Sequence, residues 1–286
     1  MSTAAASPVQ RLRLRKILRE HRSRLELTQD QVATAMDWSL SKVIRIEAGS
    51  VAISVNDLRA LLDLYRVADK DGLIELARAA RKPPWWQAFR DQMSADFQYY
   101  VGLEAISSRM QHFQGMIVPG LLQTMEYARE AFIGTVPELV SDDDLEVRLA
   151  IRRHRQDEFF GQDEPPALEV VVDESVIRRV VGSPAIMRAQ LCHLLDLSDR
   201  RHLVIRVVPF ARGIHPGHIG PFIIMDFDHE EALESLVYLE GPLEDAKSDD
   251  LKDVARYRGI FDRLRSMALS PDETSDFIRR AASELD

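Results

Sequence analysis

The sequence predicts a multidomain protein: an all-α unit of five short helices, then an α/β (α+β) domain around a small sheet of about four strands. Three observations carry that expectation. Residues 28–49 place apolar side chains at helical spacing on either side of a tight turn. Beyond residue 105, helical segments mix with four short β-branched runs. The charge also divides: residues 1–82 hold 15 Lys and Arg against 10 Asp and Glu, and the remainder holds 22 against 36. The balances are +5 and −14 within a net charge of −9, so only the first part has the sign for contact with phosphate.

A chain of 286 residues with 45% hydrophobic content is long enough for two real cores. The expected divisions are a first domain over 1–82, a linker and connecting helix over 83–104, and a second domain over 105–286. Cys192 is the single cysteine, which excludes an intramolecular disulfide and a cysteine-based zinc site. No apolar run approaches the ~18 residues of a membrane span. The opening MSTAAASPVQRLRLRK lacks the apolar block of a secretion signal. The expectation is a soluble, cytoplasmic protein with no membrane association.

Ser7-Pro8 reads as a helix start, with Leu14, Ile17 and Leu18 as an inward stripe reaching about His21. Thr28 with Gln31 makes a capping box for the next helix. Val32 and Met36 face inward there, and small Ala33 lets a second helix approach. Ser39 can cap that second helix, Val43 and Ile46 face the core, and Gly49 can end it. The exposed face predicted for it is Leu40, Ser41, Lys42 and Arg45: donors for the guanine O6 and N7 acceptors, and one apolar residue for thymine methyls. Ser54 then caps a fourth helix, and a fifth runs over about 71–81. Pro83-Pro84 stops the helical pattern in favour of an extended connector, and Trp85-Trp86 suits an anchor for it.

With Ile46-Glu47-x-Gly49 closing the segment, this head resembles the phage-repressor type of helix-turn-helix, the Xre and Cro family with its lambda-repressor-like domain. Asp37 departs from the pattern by standing where the turn usually carries glycine; aspartate tolerates the left-handed conformation better than most residues. By that resemblance Gln29, opening the first motif helix, meets a phosphate.

In the second part, residues 105–118 suggest an irregular hairpin. VPGLLQT (118–124) breaks the chain ahead of a helix, and a further helix starts at Ser141 with Asp142, Asp143 and Asp144 in its first turn. LEVVVD, LVIRVV, FIIMDF and SLVYLE are the four strands. Ser183-Pro184 opens a helix that carries Cys192 as a packed thiol, and a last long helix covers about 248–267 with Leu251, Val254, Tyr257, Phe261 and Leu264 on one side.

His215-Pro216-Gly217-His218, with Asp226 and His229 near in sequence, is the best metal-like group, yet no spacing specifies a ligand set, and a polar loop ahead of a strand is the expectation. Asp173 and Glu174 serve either as a general acid and base or as the acidic start of a helix. No nucleophile elbow and no phosphate-binding loop of the Walker type occurs, so neither an enzyme nor a cofactor is predicted. VPGLLQT either lines a ligand pocket or partner surface or forms a rigid corner. The candidate ligand- or partner-binding residues are Pro119, Gly120, Gln123, Thr124, Arg155, Gln156 and His215.

VPGLLQT with the following YAR, Arg155-Gln156, DESVIRRVVG, MRAQL, VVPF, Gly213-x-His215, GPF and Val237-Tyr238-x-Glu240 together resemble the actinobacterial regulators of the WhiJ type, as does Trp38-Ser39-x-Ser41-Lys42 in the head. That resemblance implies a transcriptional regulator with an antitoxin-like C-terminal regulatory domain, frequently paired with a small acidic protein. The expected function is binding of double-stranded DNA by a homodimer whose second domain senses a small molecule or a small partner protein. The alternative is an antitoxin-like protein that mainly binds the small partner and regulates its own gene.

Overall fold

A computed structural model of the chain describes residues 7–47, 53–79, 85–135, 141–162, 165–227, 235–241 and 245–285. It divides into two compact units. One takes the described residues within 1–90 and 97–106; the other takes those within 91–96, 107–229 and 235–286.

The first unit holds α1 (Ser7–Arg24), α2 (Gln29–Ala35), α3 (Leu40–Glu47), α4 (Val55–Leu64) and α5 (Asp71–Ala79). The first helix runs a turn beyond the predicted end near His21. Leu18, Val32, Leu58 and Leu62 are fully buried, and Leu14, Ala33, Val43, Ile46, Leu61 and Ala77 complete the same core. Gly49 and the Pro83-Pro84 connector lie outside the described residues. A 3-10 stretch, Trp85–Gln92, and α6 (Ala95–Glu104) follow; Trp86 is buried, with Trp85 edge-on against it.

Three helices of the head end alike. Glu26, Asp37 and Arg66 have φ of 54°, 53° and 56°. In each case the next residue's N–H reaches back five positions: Leu27 to Arg22, Trp38 to Ala33, Val67 to Leu62. The left-handed residue's own N–H reaches back three. This double closure satisfies the last free carbonyls of each helix and usually carries glycine at the left-handed position. An L-residue there costs about 1–2 kcal/mol, against glycine's extra unfolded-chain entropy of about 0.5–1 kcal/mol. Glu26→Gly and Arg66→Gly are therefore each expected to stabilise the head by about 0.5–1 kcal/mol, and Asp37→Gly by less. Urea unfolding followed in the head checks this; an unchanged or lower midpoint in Glu26→Gly and Arg66→Gly would sink it.

The second unit is built on one six-stranded mixed sheet, not the four strands the sequence predicted. The strands are β1 (Arg109–Gln114), β2 (Ala167–Asp173), β3 (Leu203–Val208), β4 (Phe222–Asp226), β5 (Ser235–Leu239) and β6 (Ala246–Ser248). Their order is β3-β2-β1-β4-β5-β6. β1, β2 and β3 are parallel, with Met110 opposite Leu168 and Leu168 opposite Leu203; β4, β5 and β6 continue antiparallel, with Phe113 opposite Phe222.

The expected hairpin at 105–118 is in fact the central strand. Gln111, His112 and Gln114 are buried on it, so its burial leaves no apolar alternation to read. β6 is three residues long, too short for a periodic signal, and ends at Ser248, where the last long helix was predicted to start.

The connections from β1 to β3 carry α7 (Met125–Thr135), α8 (Asp142–Phe160), α9 (Glu174–Arg178) and α10 (Pro184–Ser198); α11 (Leu251–Met267) and α12 (Pro271–Ser283) close the chain. Val254, Phe261 and Leu264 of α11 pack with Phe113, Val171, Phe222, Ile224 and Val237 on one sheet face. Leu251, expected on that stripe, is 69% exposed at the first position of α11, a turn before the buried run begins. Cys192 is exposed rather than packed, because Leu191 and Leu194 take the buried side of α10.

Candidate functional site

In the head, the capping box forms as read: the Thr28 hydroxyl accepts from the Gln31 N–H and the Gln31 side chain accepts from the Thr28 N–H. Asp37 makes the turn, and the Ser39 hydroxyl accepts from the Lys42 N–H at 3.2 Å, so Ser39 serves as the cap of α3. Four side chains of α3 form its exposed face: Leu40 and Ile44, 41% and 44% exposed, with Ser41 and Arg45. They sit at i, i+1, i+4 and i+5, one stripe of a helix. Ile44 was missed from the sequence, where an apolar residue one position after Val43 carries no sign of exposure.

Lys42 lies beside that stripe. Its ammonium is 3.2 Å from Asp57 and 3.9 Å from the centre of the Trp38 ring, which holds it against the domain. Gln29 is also engaged, its amide donating to the Glu47 carboxylate at 2.8 Å. Glu47, 4% exposed, takes in addition Arg22 Nε at 2.7 Å and a second guanidinium nitrogen at 3.1 Å, while Arg22 donates to the Leu27 carbonyl. One carboxylate thus fixes α1, α2 and α3 to each other. Burial, then the neighbouring Glu47 charge, pushes the Tyr65 phenol well above its usual range.

In the second unit six of the seven candidate residues come together, as a clamp. Gln190 of α10 is fully buried; it donates to the Leu122 carbonyl and accepts from the Thr124 N–H, both at 2.7 Å. Gln156 donates to the Gly120 and Gln123 carbonyls at 2.9 and 2.8 Å, and the Gln123 amide donates to the Val118 carbonyl at 2.7 Å. Arg152 donates to Gln123. A Cβ on Gly120 would stand 2.6 Å from the Arg152 guanidinium and 3.2 Å from that of Arg155. Pro119 and Thr124 bracket the segment, and the Thr124 hydroxyl accepts from the Tyr127 N–H to start α7. These hydrogen bonds hold VPGLLQT as a rigid corner. Gln190 was missed from the sequence, since a glutamine between leucines on a helix gives no sign of what it holds.

His215 stands elsewhere, on a cavity of about 310 Å³ whose walls include Phe113, Met116, Asp173 and His218. His215 Nε2 is 3.1 Å from Asp173 Oδ2, and His215 Nδ1 accepts from the Gly217 N–H at 3.2 Å. The proton is therefore on Nε2 and points at Asp173. Asp173 also caps α9 through the Ser175 N–H at 2.8 Å. Burial opposes its ionisation, but the bonds from Ser175 and His215 outweigh burial and hold the carboxyl below its usual range. Ser175 Oγ donates to the Gly115 carbonyl. Neither nitrogen of His215 faces the serine, so these three residues do not form a nucleophile and base pair.

Asp226, grouped with His215 by sequence, is bound instead by Arg258 and Ser235; His229 lies outside the described residues. Among the described residues no group of three metal-ligating side chains converges, and no helix is long and apolar enough to cross a membrane.

A helix-turn-helix domain family matches residues 13–76, from within α1 to Leu76 in α5. The head is a DNA-binding helix-turn-helix domain of a regulator. A second family, described as a domain of unknown function (DUF5753), matches residues 97–280, well over half of the chain. The chain belongs to the DUF5753 family. Neither the curated proteins nor the solved structures gave a match. The DUF5753 match spans α6, the whole sheet, the glutamine clamp and the His215 cavity, so both features belong to the family's stretch of the chain.

Proposed function

We propose that the chain is a sequence-specific transcriptional regulator and not an enzyme, binding double-stranded DNA as a homodimer through α3 and receiving a small-molecule signal in its second unit. The observation that carries this reading is the stripe of Leu40, Ser41, Ile44 and Arg45 on a helix whose other side is fixed by Val43, Ile46 and Glu47. Arg45 is the donor for a guanine edge or an adjacent phosphate, and Leu40 and Ile44 meet thymine methyls. Lys42 and Gln29 reach DNA only by leaving Asp57 and Glu47, so they are assigned to positioning the motif first. One such helix reads a few base pairs, which calls for two copies on half-sites about 34 Å apart.

The antitoxin-like alternative, with a small acidic protein as the main partner, rests on the sequence resemblance. An acidic partner would approach a second part of net charge −14, which favours the small-molecule version.

Fluorescence anisotropy on DNA from upstream of the gene, across a salt series, tests the reading. Arg45→Ala is expected to weaken binding to the preferred sequence about 10–100-fold and to leave binding to random DNA nearly unchanged. Ser39→Ala is expected to weaken both together through loss of the helix cap. Equal losses on both DNAs for Arg45→Ala would remove α3 as the reading helix.

A further inference from the structure

Resting on the sensing role proposed above, we infer that the cavity at the carboxyl ends of β1 and β2 binds a small flat organic cation, an aromatic amidine or amine, with its ring beside Met116 and His218 and its N–H groups on Asp173.

The first support is position. β1, β2 and β3 run parallel to one side, and the chain then returns to place β4 on the other side of β1. In open sheets with parallel strands, the crevice outside the strand carboxyl ends at such a reversal is where ligands bind. The cavity lies there: Gly115 and Met116 follow β1, Asp173 ends β2, and Gly220 and Pro221 precede β4. Its volume of about 310 Å³ is at the small end of the range for ligand pockets, enough for a ring with one polar arm.

The second support is chemistry. Among the described residues Asp173 is the only carboxylate on the wall. Each of its oxygens already accepts one bond, from the Ser175 N–H or from His215, and each keeps a second lone pair for a ligand donor. These bonds also lock the carboxylate's orientation before any ligand arrives, as a specific site requires.

Aromatic walls complete it. The Phe113 ring stands edge-on to His215 at 5.8 Å, and the His215 and His218 rings are 4.3 Å apart. A Cβ on Gly217 would come within 2.2 Å of the Phe113 ring, so the loop presses on the ring and fixes it. Met116, 58% exposed, supplies an adaptable apolar lip. A single negative charge beside the exposed His218 ring and the Met116 thioether selects a flat cation.

Benzamidine is the probe, and benzamide, which has the same shape without the charge, is its control. The full-length protein, labelled with 13C at the methionine methyls, is titrated with each, the Met116 signal being assigned through Met116→Leu. The expected result is a saturable shift of the Met116 methyl with benzamidine, at least tenfold weaker binding of benzamide, and at least a tenfold loss for benzamidine in Asp173→Asn, in which asparagine retains the helix cap. No saturable shift, or equal binding of the two probes, overturns the site without recourse to any variant; undiminished binding by folded Asp173→Asn does the same. Anisotropy on the upstream DNA runs in parallel. DNA binding that persists while the Met116 shift fails overturns the site alone. Benzamidine bound at Met116 without change in DNA affinity upholds the site and overturns its sensing role.

Discussion

Glu47→Ala is expected to destabilise the head by about 3–5 kcal/mol and to weaken binding to every DNA sequence alike, while the second unit keeps its own unfolding transition. The carboxylate accepts from Arg22 twice and from Gln29 once, at 4% exposure. Removing it leaves a half-buried guanidinium with no counter-charge, and breaking a buried pair in this way costs about 3–5 kcal/mol. A domain of this size holds roughly 4–12 kcal/mol at about 0.05–0.15 kcal/mol per residue, so the loss takes between about a quarter of it and all of it. Arg22→Leu together with Glu47→Leu is expected to recover much of the stability, because apolar replacement of both partners avoids the stranded charge. Far-UV circular dichroism with urea, read beside anisotropy, separates this from Arg45→Ala, which keeps the fold and loses only preference. A Glu47→Ala head that melts within about 1 kcal/mol of wild type would show that the hub is incidental.

Gln190→Leu is expected to cost the second unit about 3–4 kcal/mol. The change leaves the Leu122 carbonyl and the Thr124 N–H without the partner that each has now, and an unpaired buried group costs about 1–3 kcal/mol. Gln190→Glu is expected to be at least as harmful, since it keeps the acceptor for Thr124 but turns a carboxylate oxygen toward the Leu122 carbonyl. Hydrogen exchange at the Thr124 amide is the local readout: it accelerates in both variants if the clamp is as described. An unchanged exchange rate and midpoint would mean that Gln156 and Arg152 hold the corner without Gln190.

The head was legible in the sequence because its signals are local. Thr28 and Gln31, Ser39, and the spacing of Val32, Val43 and Ile46 each state their role within a turn or two of chain. What escaped notice there is contact across the domain: the ties of Gln29 to Glu47 and of Lys42 to Asp57 depend on residues 18 and 15 positions away. In the second unit the four strands rich in Val, Ile and Leu were legible, and β1 was not, because a central strand carrying Gln111, His112 and Gln114 has no apolar period. The way VPGLLQT is held in place was not legible, because the tie comes from Gln190, 66 positions beyond Thr124. His215 and Asp173 were weighed separately, and 42 positions of chain separate a pair that shares one hydrogen bond.

The composition of β1 bears on how the chain is made. Its pairing partners begin only at Ala167 and Phe222, so during synthesis the middle strand emerges long before either neighbour. At about 5–20 residues per second, it waits several seconds with both edges open, the situation in which apolar strands stick to one another. A run of Arg109, Met110, Gln111, His112, Phe113 and Gln114 is poorly suited to such association. The polarity that hides this strand from a hydropathy reading also keeps the nascent protein out of aggregates until the ribosome has delivered its partners.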